Sequence, residues 1–422
     1  MLFQRQGWIK VLLVTFIVET GFYLFDLYDP DRIRGRSVLV LGILQAVGTA
    51  AMGLAVIFYS APQMMLGRGT LVVSLFLILL VMVYWRLSLM WLNQHPRFAE
   101  RVLILGTDEN AIAVAREVLS RRGSGYEVVG FLGDEPNLIG KSLINPKVIG
   151  LYDQLEDVVC RYKADRVVVA ASDRRKRLPL APLMALKLCR EVAIEESASF
   201  YERLTGKIST EMLRPSWLIF SSETDLRRVY RRTTRILDIT LGIVILILAL
   251  PLMLIVAALI KLDSEGPVLY TQERVGLHGR VFRIMKFRSM GIDAEKNGAL
   301  WASETDPRTT TIGRMIRKVR IDELPQLINI IRGEMSLIGP RPERPVFVEE
   351  LERQIRYYGQ RHLVKPGLTG WAQVRYRYGN SVEDAREKLR YDLYYIKNQS
   401  PLLDALILFE TTRIVLFGRG AR

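Results

Sequence analysis

Three apolar stretches fill the first hundred residues, at Trp8–Leu27, Val38–Tyr59 and Leu71–Leu92. Each comes close to the ~20 residues that cross ~30 Å of hydrocarbon, so each predicts a transmembrane helix. A signal peptide would account for the first alone, but no small-residue cleavage site follows it and two more stretches do. Glu19 interrupts the first stretch. The loop Asp29–Arg36 carries Arg32, Arg34 and Arg36, the second loop carries only Arg68, and Arg97 and Arg101 follow the third stretch. The positive-inside rule then puts the first loop and everything after Leu92 in the cytoplasm, which leaves Arg5 and Lys10 on the wrong side.

From Arg101 the pattern changes to short apolar runs alternating with amphipathic ones. Val102–Leu105 reads as a buried strand ending at Gly106, followed by a helix from about Asn110 to Ser120. Tyr126–Gly133 and Arg166–Ala171 read as strands, and Leu151–Tyr162 and Leu180–Val192 as helices. Alternation of this kind predicts a parallel sheet in the Rossmann manner. The loop Gly106-Thr-Asp-Glu-Asn-Ala111 departs from G-x-G-x-x-G/A by placing Asp108 where the middle glycine admits a pyrophosphate. A carboxylate there repels phosphate. Asp134 is placed to hold a ribose, but one acid in a loop says little, and the expectation is an accessory domain without a dinucleotide.

A connection over 200–235 ends in the basic run Arg227, Arg228, Arg231, Arg232 and Arg235, ahead of the uncharged segment Ile239–Ile260. That segment is long enough to span, yet Pro251 sits in its middle, where proline removes a hydrogen bond and kinks a helix. Arg274, Arg280, Arg283, Lys286 and Arg288 follow, so both flanks are positive. A true span is asymmetric. A re-entrant helix over 236–262, dipping in and returning to the same face, satisfies both observations.

Composition narrows the class. A chain of 422 residues with 50% hydrophobic residues and a mean hydropathy of +0.15 is neither disordered nor an ordinary soluble enzyme. Two cysteines and three histidines build neither a disulfide framework nor a zinc site. The net charge of +15 is concentrated in residues 227–422, which carry 33 basic and 21 acidic side chains. Such an excess suits nucleic acid, anionic lipid or a phosphorylated substrate. One stretch there carries candidate chemistry. Pro325 fits the first turn of a helix beginning near Asp322, whose buried face is Leu327, Ile328, Ile330 and Ile331. Asp322 would then lie at or beside the N-cap, where the helix end favours an ionised carboxylate by about 0.3–1 kcal/mol. A fixed, ionised carboxylate is what covalent attack on phosphorus requires. Glu323 beside it has the chemistry to hold a divalent cation. The plainer alternative is a cap and a solvated neighbour.

Five strings follow in order: Gln272-Glu-Arg-Val-Gly276, Lys286-Phe-Arg-Ser-Met290, Arg317-Lys-Val-Arg-Ile-Asp-Glu-Leu-Pro-Gln-Leu327, Gly339-Pro-Arg-Pro342 and Lys365-Pro-Gly-Leu-Thr-Gly-Trp-Ala-Gln-Val374. They closely resemble the bacterial sugar transferase family, the monotopic phosphoglycosyl transferases that load polyprenyl phosphate with hexose-1-phosphate. Phe200-Tyr-Glu-Arg-Leu-Thr-Gly206 and Pro215-Ser-Trp-Leu-Ile-Phe220 resemble its exopolysaccharide and PEP-CTERM-associated branch. The layout resembles the large members, with transmembrane helices over 1–98, a Rossmann-like α/β domain over 99–200, a linker over 201–231 and a mainly helical catalytic domain over 232–422. Large members usually have four spans, so a further one is expected ahead of Met1.

The resemblance implies that Asp322 attacks the β-phosphate of a UDP-sugar, that UMP leaves, and that polyprenyl phosphate takes the phosphosugar from the aspartyl intermediate. It implies Mg²⁺ on Glu323, phosphate contacts from Lys286, Arg288, Arg317 and Arg341, and a kink at Pro251. It also implies the lipid bilayer of the bacterial cytoplasmic membrane as a partner, with the catalytic domain facing the cytoplasm. A homo-oligomer is compatible with it and nucleic acid is not expected. Arg320, where many members have Ser or Thr, and Leu250, where serine is common, depart from the family pattern. Trp371 and Tyr376–Tyr378 read as interfacial anchors or as stacking platforms, and Pro401–Phe417 as a core helix or one lying on the bilayer. A membrane-tethered nucleotide-dependent oxidoreductase or epimerase, and a non-catalytic scaffold, are the rivals. Asp108 and the lack of a Tyr-x-x-x-Lys pair weigh against the first, and the intact Asp322–Glu323 pair against the second.

Overall fold

The computed structural model describes residues 7–25, 27–28, 36–94, 99–121, 125–170, 178–189, 192–213, 225–291, 306, 308–376, 379 and 381–417. Arg5, Arg32, Arg34, Arg97, the string Pro215–Phe220 and Tyr378 lie outside them. The chain divides into two compact units at Phe200/Tyr201.

The first unit begins with helices α1 (Gly7–Leu24), α2 (Arg36–Ser60) and α3 (Arg68–Gln94), within two or three residues of the predicted stretches. Val14, Val18 and Phe22 of α1 pack on Leu39, Ile43, Ala46 and Leu54 of α2. A Cβ on Gly21 would lie 2.8 Å from the Ala46 carbonyl, so glycine is what lets the two backbones approach. Glu19 accepts a hydrogen bond from Tyr28, which explains how a carboxylate is carried inside this stretch.

A five-stranded parallel sheet follows, in the order β3-β2-β1-β4-β5, made of β1 (Glu100–Leu105), β2 (Tyr126–Gly133), β3 (Val148–Leu151), β4 (Arg166–Val169) and β5 (Ala193–Glu196). Helices α4 (Glu109–Ser120), α5 (Leu155–Tyr162) and α6 (Leu180–Cys189) connect them. The α/β reading is right, and the two edge strands are what the pattern missed. Each has four residues, and Ala-Ile-Glu-Glu in β5 shows no apolar run. At the end of β1, Asp108 caps α4 by accepting from Ala111 N at 3.1 Å. Its carboxylate therefore occupies the helix end that a pyrophosphate would need.

The second unit starts inside α7 (Ser197–Thr205), and residues 201–213 of the segment read as a linker pack on it. Ile208 N donates to Arg390 O at 3.0 Å, and Glu202 pairs with Lys397 at 2.5 Å. Helix α8 (Asp225–Asp263) is continuous through Pro251. Its first half meets α10 (Gln326–Arg332) and β8 (Ser336–Ile338), and its second half meets β7 (Val281–Phe287) and α9 (Thr311–Lys318) through Val256, Ile260, Phe287 and Ile316. Between these contacts Ile247, Leu248, Leu250, Leu254 and Ile255 are exposed. With α1, α2 and α3, this makes four helices among the described residues that are long and apolar enough to cross a membrane.

Strand β6 (Leu269–Val275) pairs antiparallel with β7, and β8 pairs parallel with β9 (Gly367–Thr369). Helices α11 (Pro345–Gln354), α12 (Trp371–Arg375), α13 (Val382–Lys397) and α14 (Pro401–Phe417) complete the unit. Trp371 is neither an anchor nor a platform: it is buried, donates from Nε1 to Gly206 O at 2.8 Å and stacks on Tyr394. Buried Ile407 and Ile414 make α14 a core helix.

Candidate active site

Four short elements converge on one carboxylate pair. Thr310 caps α9 by accepting from Gly313 N at 3.0 Å. A Cβ on Gly313 would fall 2.0 Å from the Ser289 carbonyl, so only glycine lets the helix start this close to the end of β7. After α9 the chain reverses at Arg320, at φ 56°, into a single 3₁₀ turn over Ile321–Glu323. Pro325 follows and α10 begins at Gln326, ending at Gly333 with φ 90°. Asn329, fully buried on α10, donates to Arg283 O at 2.8 Å and accepts from Met285 N at 3.0 Å. It thereby fixes α10 to the strand that carries Lys286.

Asp322 and Glu323 are each 8% exposed. Glu323 Oε1 accepts from Arg341 Nη2 at 2.6 Å and lies 3.6 Å from Lys286 Nζ. Arg341 Nη1 donates in turn to Gln373 Oε1 at 3.1 Å. Glu323 is thus held ionised, its carboxyl far below the usual range: the Arg341 and Lys286 charges outweigh the burial that opposes them. Asp322 is the opposite case. Its side chain makes no hydrogen bond among the described residues. Burial and then the Glu323 charge push its pKa up to about 6, against the pull of Lys286, Arg341 and Arg317. Burial also depresses Lys286.

The sequence brings Lys286, Arg317, Arg341 and both carboxylates to one place, and the structure corrects two details. Asp322 caps nothing, because the residue before the 3₁₀ turn is Arg320 and the turn separates Asp322 from α10. Its environment raises the carboxyl pKa rather than lowering it. Arg288, grouped with the phosphate-facing cations, is buried and donates to Glu265 O at 2.6 Å and Ser264 O at 2.8 Å. It closes the C-terminal end of α8, a role that pairing an arginine with a motif does not reveal.

Sequence reasoning missed Gln373, Asn329, Arg235 and Asp238. Arg235 donates to Ile330 O at 2.6 Å and Ile331 O at 2.7 Å, closing α10. Asp238, 3% exposed on α8, accepts from Leu337 N at 2.8 Å and Ser336 Oγ at 3.0 Å. The available signal was an aspartate immediately before an uncharged apolar run, which is costly unless it is partnered.

Residues 229–418, which hold all of this geometry, match the bacterial sugar transferase family, and residues 23–177 match a CoA-binding domain. The UDP-glucose:undecaprenyl-phosphate glucose-1-phosphate transferase of Escherichia coli (strain K12) is 32% identical over 333 residues, covering 77% of this chain and 70% of that one. The chain belongs to the bacterial sugar transferase family. Among other members, the undecaprenyl-phosphate glucose phosphotransferase of Komagataeibacter xylinus is 45% identical over 331 residues, 77% of this chain and 60% of that protein. The UDP-N-acetylgalactosamine-undecaprenyl-phosphate N-acetylgalactosaminephosphotransferase of Aeromonas hydrophila is 47% identical over 221 residues, 52% of each. The match thus spans between half and 60% of the length of these two relatives.

The family resemblance brings a divalent cation with it, and the donors can be tested for it. Among the described residues no three His, Cys, Asp or Glu side chains group together. Glu323 alone is enough, because Mg²⁺ takes one or two carboxylates from a protein when water and substrate phosphate complete its shell. Arg341 and Lys286 both approach Glu323 through Oε1, which leaves Oε2 for a cation. The donor set fits Mg²⁺.

Proposed function

We propose that this protein transfers a sugar-1-phosphate from a UDP-sugar to polyprenyl phosphate, undecaprenyl phosphate being the carrier named for its relatives, through a phosphosugar carried on Asp322. The observation that supports this most is the contrast within the pair. Glu323 is neutralised by two cations, while Asp322 is buried, makes no side-chain hydrogen bond among the described residues and is adjacent to the same positive charge. At pH 7.5 a carboxyl with pKa about 6 is almost wholly ionised, and no bond has to break before it attacks.

In the first step an Asp322 oxygen bonds to the β-phosphorus, the bond to the bridging oxygen breaks, and UMP leaves with that oxygen. Lys286, Arg341 and Arg317 bear the charge that develops on the diphosphate. In the second step a phosphate oxygen of the carrier bonds to the same phosphorus, and the carboxylate leaves unchanged. Glu323 would hold Mg²⁺, which supplies charge neutralisation for the diphosphate. The products are UMP and a polyprenyl-diphospho-sugar, the starting point of a surface glycan.

The lipid substrate requires the site to lie at the membrane face, and α8 supports that. Asp238 and Ile260 are ~33 Å apart along a helix, about one hydrocarbon thickness. The two ends of a span lie on opposite faces, beyond the reach of one folded unit, yet both halves of α8 pack on this unit. We therefore assign α8 as re-entrant, with the catalytic unit on the cytoplasmic side.

The test is the intact mass of the protein after brief exposure to a panel of UDP-sugars without acceptor. The expected result is UMP bounded by one per active site and a phosphosugar on the peptide holding Asp322, absent in Asp322→Asn. Release of UMP only when polyprenyl phosphate is present, with no adduct, refutes the covalent route.

A further inference from the structure

The turn that presents Arg341 reads Gly339-Pro-Arg-Pro342, so two of its residues have no backbone N–H with which to hold it. Beside the Gly339 N–H, which donates to Thr369 O at 2.8 Å, it is held through its carbonyls, each by a donor from a different part of the unit. Gly367 N donates to Pro340 O at 2.9 Å, Arg361 Nη2 to Arg341 O at 2.8 Å, and Arg274 Nη1 to Pro342 O at 3.1 Å. Arg361 is 6% exposed, its Nη2 lies 3.0 Å from Asp392 Oδ2, and its Nη1 donates to the Tyr358 hydroxyl. Asp392, on α13, is 2% exposed.

We propose that Arg361 and Asp392 are a positioning pair for the reaction: they fix the main chain of Arg341 so that its guanidinium bridges Glu323 and Gln373. The proposal rests on the transferase reading above. A buried ion pair contributes little net stability, because desolvation offsets the attraction, and apolar residues of similar volume hold a fold as well. Apolar residues cannot donate to the Arg341 carbonyl. Asp392 supplies the countercharge that lets a guanidinium sit there, and the fork of Arg361 can reach the carbonyl, the carboxylate and the phenol at once. A displacement of about 1 Å in a catalytic cation lowers rates by about 10²-fold.

The experiment uses the full-length protein in lipid nanodiscs and the paired variant Arg361→Met with Asp392→Leu, which leaves no buried charge unpaired. UMP release is measured as kcat and KM in the native and in the Arg341→Ala background, alongside thermal melting. The expected result is a melting point close to the parent's, kcat lower by about 10–100-fold with KM little changed, and less than twofold further loss when Arg341 is already alanine. Equal losses in both backgrounds mean a merely structural role and overturn the proposal, as does unchanged kcat. Arg361→Lys, which keeps the charge but loses the fork, passes through the same comparison if the paired variant fails to fold. A readout without turnover separates this proposal from the transferase reading: hydrogen–deuterium exchange of the backbone amides that hold the turn, Gly339 N on Thr369 O and Gly367 N on Pro340 O. Their exchange quickens in the paired variant, because the Arg341 main chain has lost the Arg361 donor. Unchanged exchange overturns the pair, whereas an inactive wild-type protein overturns only the transferase reading.

Discussion

Asp322→Asn should make the protein inactive and more stable at once. Burial and the Glu323 charge raise the Asp322 carboxyl from 3.8 to about 6. An acid whose pKa is higher in the native state binds its proton more tightly there than in the unfolded chain, so its ionised form costs stability above the native pKa. At ~1.4 kcal/mol for each pKa unit, the cost at pH 7.5 is about 3 kcal/mol. It declines as pH falls through 6 and is nearly gone by 3.8, so about half remains at pH 5. Asparagine has the same shape, carries no charge and loses no hydrogen bond, since the Asp322 side chain makes none among the described residues. Relief of the penalty should raise the melting temperature of the catalytic unit by roughly 6–12 °C at pH 7.5, at about 2–4 °C per kcal/mol. The rise should be about half as large at pH 5. Scanning fluorimetry of the two proteins in the same detergent at both pH values measures this. An asparagine variant that melts at or below the parent at pH 7.5, or gains equally at both pH values, refutes the reading of a carboxylate held ionised against its surroundings.

Glu323→Gln should lower turnover by roughly 10²-fold or more, by removing the partner that fixes Lys286 and Arg341. Its residual UMP release should have an acid limb at lower pH than the parent's, because the like charge that raises the Asp322 pKa is gone; a limb displaced upward contradicts the assignment. A cysteine placed at Gly266, just beyond α8, should react with a membrane-impermeant thiol reagent only from the cytoplasmic side. Labelling from the other side means that α8 spans.

Membrane helices, the parallel sheet and the carboxylate pair were legible because each rests on a local pattern. Apolar length reports a membrane helix directly, and the 3.6-residue spacing of Leu327, Ile330 and Ile331 around Pro325 marks α10. What escaped the reading depends on partners distant in sequence. Asp238 bonds β8 almost a hundred positions away, with |i−j| of 98 and 99. Gln373 meets Arg341 across 32 residues. No periodicity records such a pairing. Asp322 is found by its neighbours in the chain, but the direction of its pKa shift is not, because a helix end is a local feature whereas burial and the Glu323 charge act only in the assembled site.

The surplus of positive charge in the last half shows the same limit from another side. Counted along the sequence, it reads as a surface for anions. In the fold, Arg235 closes α10, Arg288 closes α8, and Arg274 and Arg361 hold the turn at Pro340–Pro342, all four through main-chain carbonyls. Arginine suits that work because its planar fork reaches two or three acceptors at once and stays charged when buried. Three of these four hold an element of the proposed active site. Arg235 bonds the end of the helix that follows Asp322, and Arg274 and Arg361 bond the turn that carries Arg341. These arginines bear on that site at one remove, by fixing the elements that carry its residues. A rigid frame of this kind suits the proposed chemistry, in which a buried carboxylate has to stay charged until a diphosphate arrives.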